Sequence, residues 1–286
     1  MDATLLAICL GLFSAVTLAA ANMSVKMGGD ILVARAFLSA SAAVLMLPAI
    51  FFVPAPDEAT WRALAFALPA HFFYQICMIR ALQRGDLSLV FPVMRGAAPL
   101  LTAFAALLIL HEELAPLAWA GLVLATAAVA AFALPPKGVA MRDHPHAAAL
   151  FWAAGTAIGI ALYNVTDARG VRAAPSPFTY IVWLFLLDGV AVIVLALALR
   201  RKAIASALAM RWRYGFAGGV LSILSFGSAL YAFGLMETAK VSALRETAVV
   251  FAALMGSLFL GESFGQRRAI AAIVLAAGLV LMQFGR

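Results

Sequence analysis

The sequence predicts an all-α, polytopic membrane protein whose ten transmembrane helices form two inverted five-helix repeats. Three observations lead there. Of 286 residues, 65% are hydrophobic and only 12% are charged, roughly half the charged fraction of a soluble domain. Apolar runs of about twenty residues recur from end to end, the length that crosses roughly 30 Å of hydrocarbon. An arginine and a glutamate then keep one spacing in both halves, Arg95 with Glu112 and Arg245 with Glu262.

The helices can be read in order from these runs and the polar pieces between them. The first, about 3–21, opens with MDATLLAICLG, which lacks the basic segment of a cleaved signal and reads as a retained span. Four more follow at about 31–53, 61–83, 87–110 and 115–134. The second half supplies about 146–166, 178–199, 214–235, 240–260 and 266–284. The connections are NMSVKMGGD, PAPDEAT, RGD, HEEL, PPKGVAMRDHPH, RGVRAAPSP, RRKAIASALAMRWR, ETA and GESFG, all too short to fold as a separate domain. Pro48, Pro69, Pro92 and Pro99 fall within or near the ends of spans and read as kinks, because neighbouring helices can take up the carbonyls they free.

Setting Arg95 on Arg245 also aligns Ala98 with Ala248, Ala103 with Ala253, Leu108 with Leu258 and Leu110 with Leu260. Apolar composition alone could supply the alanines and leucines, but less readily the matched arginine and glutamate. The repeats are expected at 1–135 and 146–286, within one membrane domain. Five spans are an odd number, so the second copy enters the membrane from the opposite side. Secondary transporters with a midplane site share that plan.

Charge sets the expected orientation. Connections on one side carry Lys26, Arg84, Lys137, Arg142, Arg200, Arg201, Lys202, Arg211, Arg213, Arg267 and Arg268. The other side carries Arg62, Arg169, Arg172, Lys240 and Arg286. The positive-inside rule puts the richer side in the cytoplasm and both termini in the periplasm of a bacterial inner membrane. The net charge of +7 is scattered through short connections and suits lipid headgroups better than nucleic acid. Cys9 and Cys77 lie in apolar runs and suggest neither a disulfide framework nor a metal site.

The ends of helices four and nine, PLLTAFAALLILHEE (99–113) and FAALMGSLFLGES (251–263), are small-and-aliphatic runs that close on glutamate. In these the chain resembles the drug/metabolite transporter superfamily, specifically its ten-helix EamA-type carriers. Within that superfamily, Tyr74-Gln75-Ile76-Cys77 is similar to a Tyr-Glu-Ile-Cys stretch of the YddG-type aromatic amino-acid exporters. Where those exporters have Asn-Tyr-Leu-Trp-Pro, this chain has Arg95-Gly96-Ala97-Ala98-Pro99. The resemblance implies a secondary transporter that exports amino acids, aromatic ones among them, or similar small metabolites by alternating access. Export of drugs, organic cations or other metabolites is the competing reading.

The candidate residues are polar groups inside spans. A central arginine costs about 2.5–3.5 kcal/mol on insertion scales, so Arg95 in VFPVMRGAAPLLTAF needs a partner, water or a task. It and Arg245 could bind a substrate carboxylate, with Glu246 taking a proton or an ammonium group. Alternatively, Glu246 forms a structural ion pair with one arginine. Asn22, Lys26, His71, Tyr74 and Gln75 form a second group, the last three spaced to share one helix face. Tyr163, Asn164, Asp188, Ser222, Ser225 and Tyr231 complete the set, with Tyr74, Gln75, Tyr163, Asn164, Ser225 and Tyr231 read as substrate-binding and Asp188 as a second proton or ammonium site.

The remaining features read as structural. Asp167 reads as a loop charge beside Arg169, Trp183 as an interfacial anchor, and Gly155 with Gly159 as a GxxxG packing face. Glu112 and Glu262 read as N-terminal caps of the helix that follows each in the chain. His144 and His146 are too isolated for zinc. No HExxH or GxSxG motif suggests an enzyme, and no GxxxxGK[ST] loop suggests an ATPase. The expected partners are a small-molecule substrate and the lipid bilayer, with no cofactor, no metal, no ATPase subunit, and a monomeric state.

Overall fold

Within hydrocarbon every backbone N–H and C=O needs a partner from the protein itself, and helices supply it segment by segment. The computed structural model describes residues 3–85, 87–130, 147–251, 255, 258 and 266–284, which contain helices and no strand. Six helices are long and apolar enough to cross a membrane, and shorter apolar helices accompany them. The chain is thus an all-α polytopic membrane protein.

The first half holds α1 (Ala3–Met27), α2 (Ile31–Met46), a 3-10 turn (Leu47–Phe52), α3 (Glu58–Leu82), α4 (Leu87–Gly96), α5 (Ala98–Ile109) and α6 (Pro116–Ala130). Polar caps set the starts. The Asp30 carboxylate accepts from the amides of Leu32 and Val33 at the head of α2. Asp57 accepts from the hydroxyl and amide of Thr60, which hold its carboxyl below the usual carboxylate range. At the other end of α3, Lys26 Nζ donates to the carbonyls of Leu82 and Gly85 at 3.3 and 3.2 Å. That cation meets the negative end of the helix and satisfies groups that have no partner within it.

The second half holds α7 (Ala147–Ala173), α8 (Pro177–Asp188), α9 (Val190–Leu199), α10 (Arg201–Ser222), a π turn (Ile223–Gly227), α11 (Ser228–Phe233), α12 (Thr238–Arg245) and α13 (Gln266–Phe284). Three expected connections are partly or wholly helical. The first helix runs on past residue 21 to Met27, α7 continues to Ala173, and RRKAIASALAMRWR is helix from Arg201 onward. Lysine, arginine and alanine are good helix formers, so a polar stretch there need not be a loop.

Three expected spans are broken instead. Helix seven divides at Gly189, where an added Cβ would meet Ser39 Cβ at 2.6 Å. Helix four divides at Ala97, with Pro99 in the first turn of α5, where its missing N–H costs no intrahelical bond. Helix nine is interrupted at Glu246 and Thr247. The breaks in helices four and nine coincide when Arg95 is set on Arg245.

Packing repeats with the sequence. α3 lies along α7 and α1 along α10, α4 and α5 rest on α7 and α12 on α1, and α6 crosses α13. Exchanging the two halves turns α3 on α7 into α10 on α1, and α4 and α5 on α7 into α12 on α1, and maps α6 on α13 onto itself. Small residues let the backbones approach. A Cβ on Gly121 would stand 2.5 Å from the Gly278 carbonyl oxygen where α6 meets α13. One on Gly159 would stand 2.8 Å from Tyr74 Cα where α7 meets α3, and Gly155 abuts Cys77 on the same face.

Glu112 joins the halves at one end of the bundle. Its carboxylate accepts from the amide and hydroxyl of Thr238, both at 2.8 Å, and pairs with Arg172. It caps α12 rather than α6, the next helix in the chain, which corrects the expected target. The chain turns away from α5 at His111, whose φ is 56°, and the carboxylate reaches across to the other half. Glu262, His144 and His146 lie outside the described residues.

Candidate functional site

The helix breaks bring three charges into the interior. Arg95 is 3% exposed, and Arg245 and Glu246 are each 1% exposed. Arg95 Nε donates to Glu246 Oε2 at 3.3 Å, and its Nη2 stands 2.8 Å from Oε1, an ion contact off the hydrogen-bonding line. Arg245 has no carboxylate partner among the described residues. Its Nε donates to Ser14 Oγ at 3.0 Å, and its guanidinium lies 5.3 Å from the centre of the Phe226 ring. Ser14 Oγ keeps its own hydrogen for Ser225 Oγ at 3.4 Å, while Ser225 donates to the Ser14 carbonyl at 2.8 Å. Nη1 of each arginine is buried without a hydrogen-bond partner. Two guanidiniums against one carboxylate leave a surplus positive charge, which is costly away from water unless an anion meets it.

A second network is built on α3, α7 and α8. Asp167 is not a loop charge: it lies within α7, is 0% exposed, and faces away from Arg169. It accepts from the Tyr180 hydroxyl at 2.7 Å and sits 2.9 Å from His71 Nε2. The i, i+3 and i+4 spacing of His71, Tyr74 and Gln75 does put them on the inner side of α3. Gln75 Nε2 donates to Asp188 Oδ1 at 2.8 Å, and Arg35 Nε donates to Gln75 Oε1 at 3.2 Å. The His71 ring stacks on Tyr163 with centroids 4.5 Å apart, and Tyr74 and Phe226 meet Tyr163 edge-on.

Between these networks lies a cavity of about 50 Å³, room for a few waters. Its polar lining is Asn22, Arg35, His71, Tyr74, Tyr163, Asp188, Ser222, Ser225 and Arg245, with Leu18, Ala21, Leu184, Phe185 and Phe226 as the apolar part. Cationic and anionic groups therefore share one small chamber with aromatic walls. Among the described residues, no group of three His, Cys, Asp or Glu could hold a metal ion.

Comparison with known proteins adds the family. The sequence profile of the EamA-like transporter family matches residues 2–134 and again residues 147–284. The chain belongs to the EamA-like transporter family. A solved crystal structure of a protein matches it with a TM-score of 0.72 at 19% identity, over 98% of this chain and 95% of that one, which shows a shared fold. No curated protein matches. As an EamA-like transporter, the chain is a multi-pass membrane protein that acts on small molecules in a lipid bilayer.

The EamA-like match divides the cavity between its two segments. Asn22, Arg35, His71 and Tyr74 come from the first, and Tyr163, Asp188, Ser222, Ser225 and Arg245 from the second. Other candidates stand behind the wall. Gln75 orients Asp188, and Arg95 with Glu246 forms the pair beside Arg245. Asn164 ties α7 to α5 and α12 by donating to Thr102 and Ser242 hydroxyls at 3.2 and 3.0 Å. Tyr231 stacks on Phe178, 5.4 Å between centroids, and does not line the cavity. Trp183 packs edge-on against Trp61 with its indole N–H buried and without a partner. Pro92 lies within α4, two residues before Met94 and three before Arg95.

Sequence reasoning missed Arg35, Ser14 and Phe226. For Arg35 the signal was present: it interrupts ILVARAFLSASAAVLM as Arg95 interrupts its own span, and the same insertion cost applies. Ser14 and Phe226 carry no such signal, since a serine or phenylalanine in an apolar helix is ordinary.

Proposed function

We propose that this protein is a secondary transporter of a bacterial inner membrane that exports amino acids, aromatic ones among them, or similar small metabolites by alternating access through the central cavity. The observation that carries the reading is Arg245, a buried guanidinium beside the cavity with a free Nη1 and no ion-paired carboxylate among the described residues. A substrate carboxylate would meet that charge, Asp188 would meet the ammonium group, and Tyr74, Tyr163, Phe185 and Phe226 would bound the side chain. Arg95 and Glu246 would serve as the fixed ion pair beside that site. Aromatic walls with Asp188 would also suit an organic cation, but Arg245 would make it a weaker ligand than an amino acid, whose carboxylate meets that charge. Export as the direction rests on the resemblance to the YddG-type exporters.

Alternating access would require the two halves to part around this chamber. Inverted repeats at 1–135 and 146–286, rocking about this site, would supply that motion. Counterflow in proteoliposomes with labelled amino acids tests the reading. Saturable exchange, competed by unlabelled amino acids, is expected. Competition by nucleotide-sugars or organic cations alone would overturn the amino-acid assignment.

Orientation is a separate expectation. Reporter proteins fused at Met1 and at Arg286 should both read out in the periplasm, because the basic residues concentrate at the other face. A cytoplasmic signal from both ends would overturn this orientation and leave the transport reading standing.

A further inference from the structure

His71 has a task that the carboxylate site does not explain. It is 4% exposed and lines the cavity. Each ring nitrogen faces a carboxylate: Asp167 Oδ2 lies 2.9 Å from Nε2, and Asp188 Oδ1 lies 3.4 Å from Nδ1. A neutral imidazole has one N–H and would turn a lone pair on one of these oxygens. Only the imidazolium can serve both.

The two carboxylates differ in access. Asp167 is sealed, 0% exposed, and its other oxygen is taken by Tyr180. The Asp188 side chain is 17% exposed and lines the cavity. Charged and titratable groups reach His71 from each neighbouring element: Tyr74 on its own helix, Asp167 and Tyr163 on α7, and Asp188 and Tyr180 on α8. Arg35 of α2 acts through Gln75, and Arg245 ends α12 behind the Phe226 ring. With His71 protonated, the charges of Arg35, His71, Asp167 and Asp188 sum to zero. Loss of that proton leaves one negative charge, and the only carboxylate of the pair that can offer it to the cavity is Asp188.

We propose that His71 binds the coupling proton of this transporter, and that this proton and the ammonium group of the substrate compete for Asp188. The inference rests on the amino-acid reading above. With the proton on His71, the imidazolium occupies Asp188. When the proton leaves through the cavity, the remaining N–H stays on Asp167 and Asp188 is open to an ammonium group. Substrate arrival therefore expels one proton to the side on which the cavity is open, which is the elementary step of exchange. By linkage, the proton must weaken the substrate by the same factor that the substrate weakens the proton.

The test uses the whole protein, purified in detergent in weak buffer with a pH-sensitive dye. Three probes are added in turn: phenylalanine, phenylethylammonium and phenylpropionate. Phenylalanine and phenylethylammonium should each release about one proton per protein, and phenylpropionate none. The apparent affinity for phenylethylammonium should fall about tenfold per unit of falling pH while His71 takes up its proton. In His71→Gln proton release should fall below about a tenth and the affinity should lose its pH dependence, and Asp188→Asn should abolish release with both amines. Glu58→Gln, on the exposed face of α3, should release protons as the unaltered protein does. Absence of release from the unaltered protein with every probe overturns the proposal, as does a pH-dependent affinity that survives in His71→Gln. Amino-acid counterflow without proton release would sink the coupling alone. Absence of both would take the amino-acid reading with it.

Discussion

Replacing Arg245 with glutamine should reduce amino-acid counterflow by at least about thirtyfold in protein that still inserts and purifies as a single species. A buried, hydrogen-bonded charge on a ligand is worth about 2–5 kcal/mol when its partner is truncated, and each 1.4 kcal/mol is about a factor of ten. Folding should survive because, among the described residues, no carboxylate forms an ion pair with this guanidinium. Glutamine can still donate toward Ser14, and the surplus positive charge is removed. Arg245→Lys should keep part of the flux, since the charge remains but the fork that engages Ser14 and a carboxylate together does not. Flux near the unaltered level in Arg245→Gln would remove the observation on which the carboxylate site stands.

Arg95 should behave in the opposite way. Arg95→Gln and Glu246→Gln each leave a partner or its counter-charge unmatched, and breaking a buried pair costs about 3–5 kcal/mol. Each single variant should melt well below the unaltered protein in a detergent thermal-shift assay. The double variant Arg95→Gln with Glu246→Gln should recover most of that loss and regain flux, because the pair stands behind the cavity wall. A double variant that folds normally but does not transport would instead assign Arg95 to substrate binding. The contrast between the two arginines is a matter of partners: both are buried, but only one is neutralised.

Both roles were open in the sequence for Arg95 and Arg245, and the reason is geometric. A spacing of residues along a chain says which groups share a helix face. It does not say which helix comes to that face. The pairing of Arg95 with Glu246 crosses from α4 to the break after α12, and the bond from Arg245 to Ser14 crosses to α1. The same limit explains Glu112, which was legible as a cap but not as a cap on α12, and Asp167, whose nearest charge in the chain is Arg169 but whose partners are His71 and Tyr180.

The chain's own order of residues determined that it is a helical membrane protein with a doubled plan. That follows from run length, the scarcity of charge, and the matched Arg95–Glu112 and Arg245–Glu262 spacings, which are local properties that lipid and backbone hydrogen bonding act on directly. It also marked His71, Tyr74, Gln75, Asp188 and the two arginines as polar groups that need a reason to sit in a span. Only the tertiary structure decided which of them meet. The breaks at Ala97 and at Glu246–Thr247 face each other, Gly159 lets α7 close on Tyr74, and Tyr180 holds Asp167 against His71. These are contacts between distant segments, set by how backbones of small residues approach, and no local pattern encodes them.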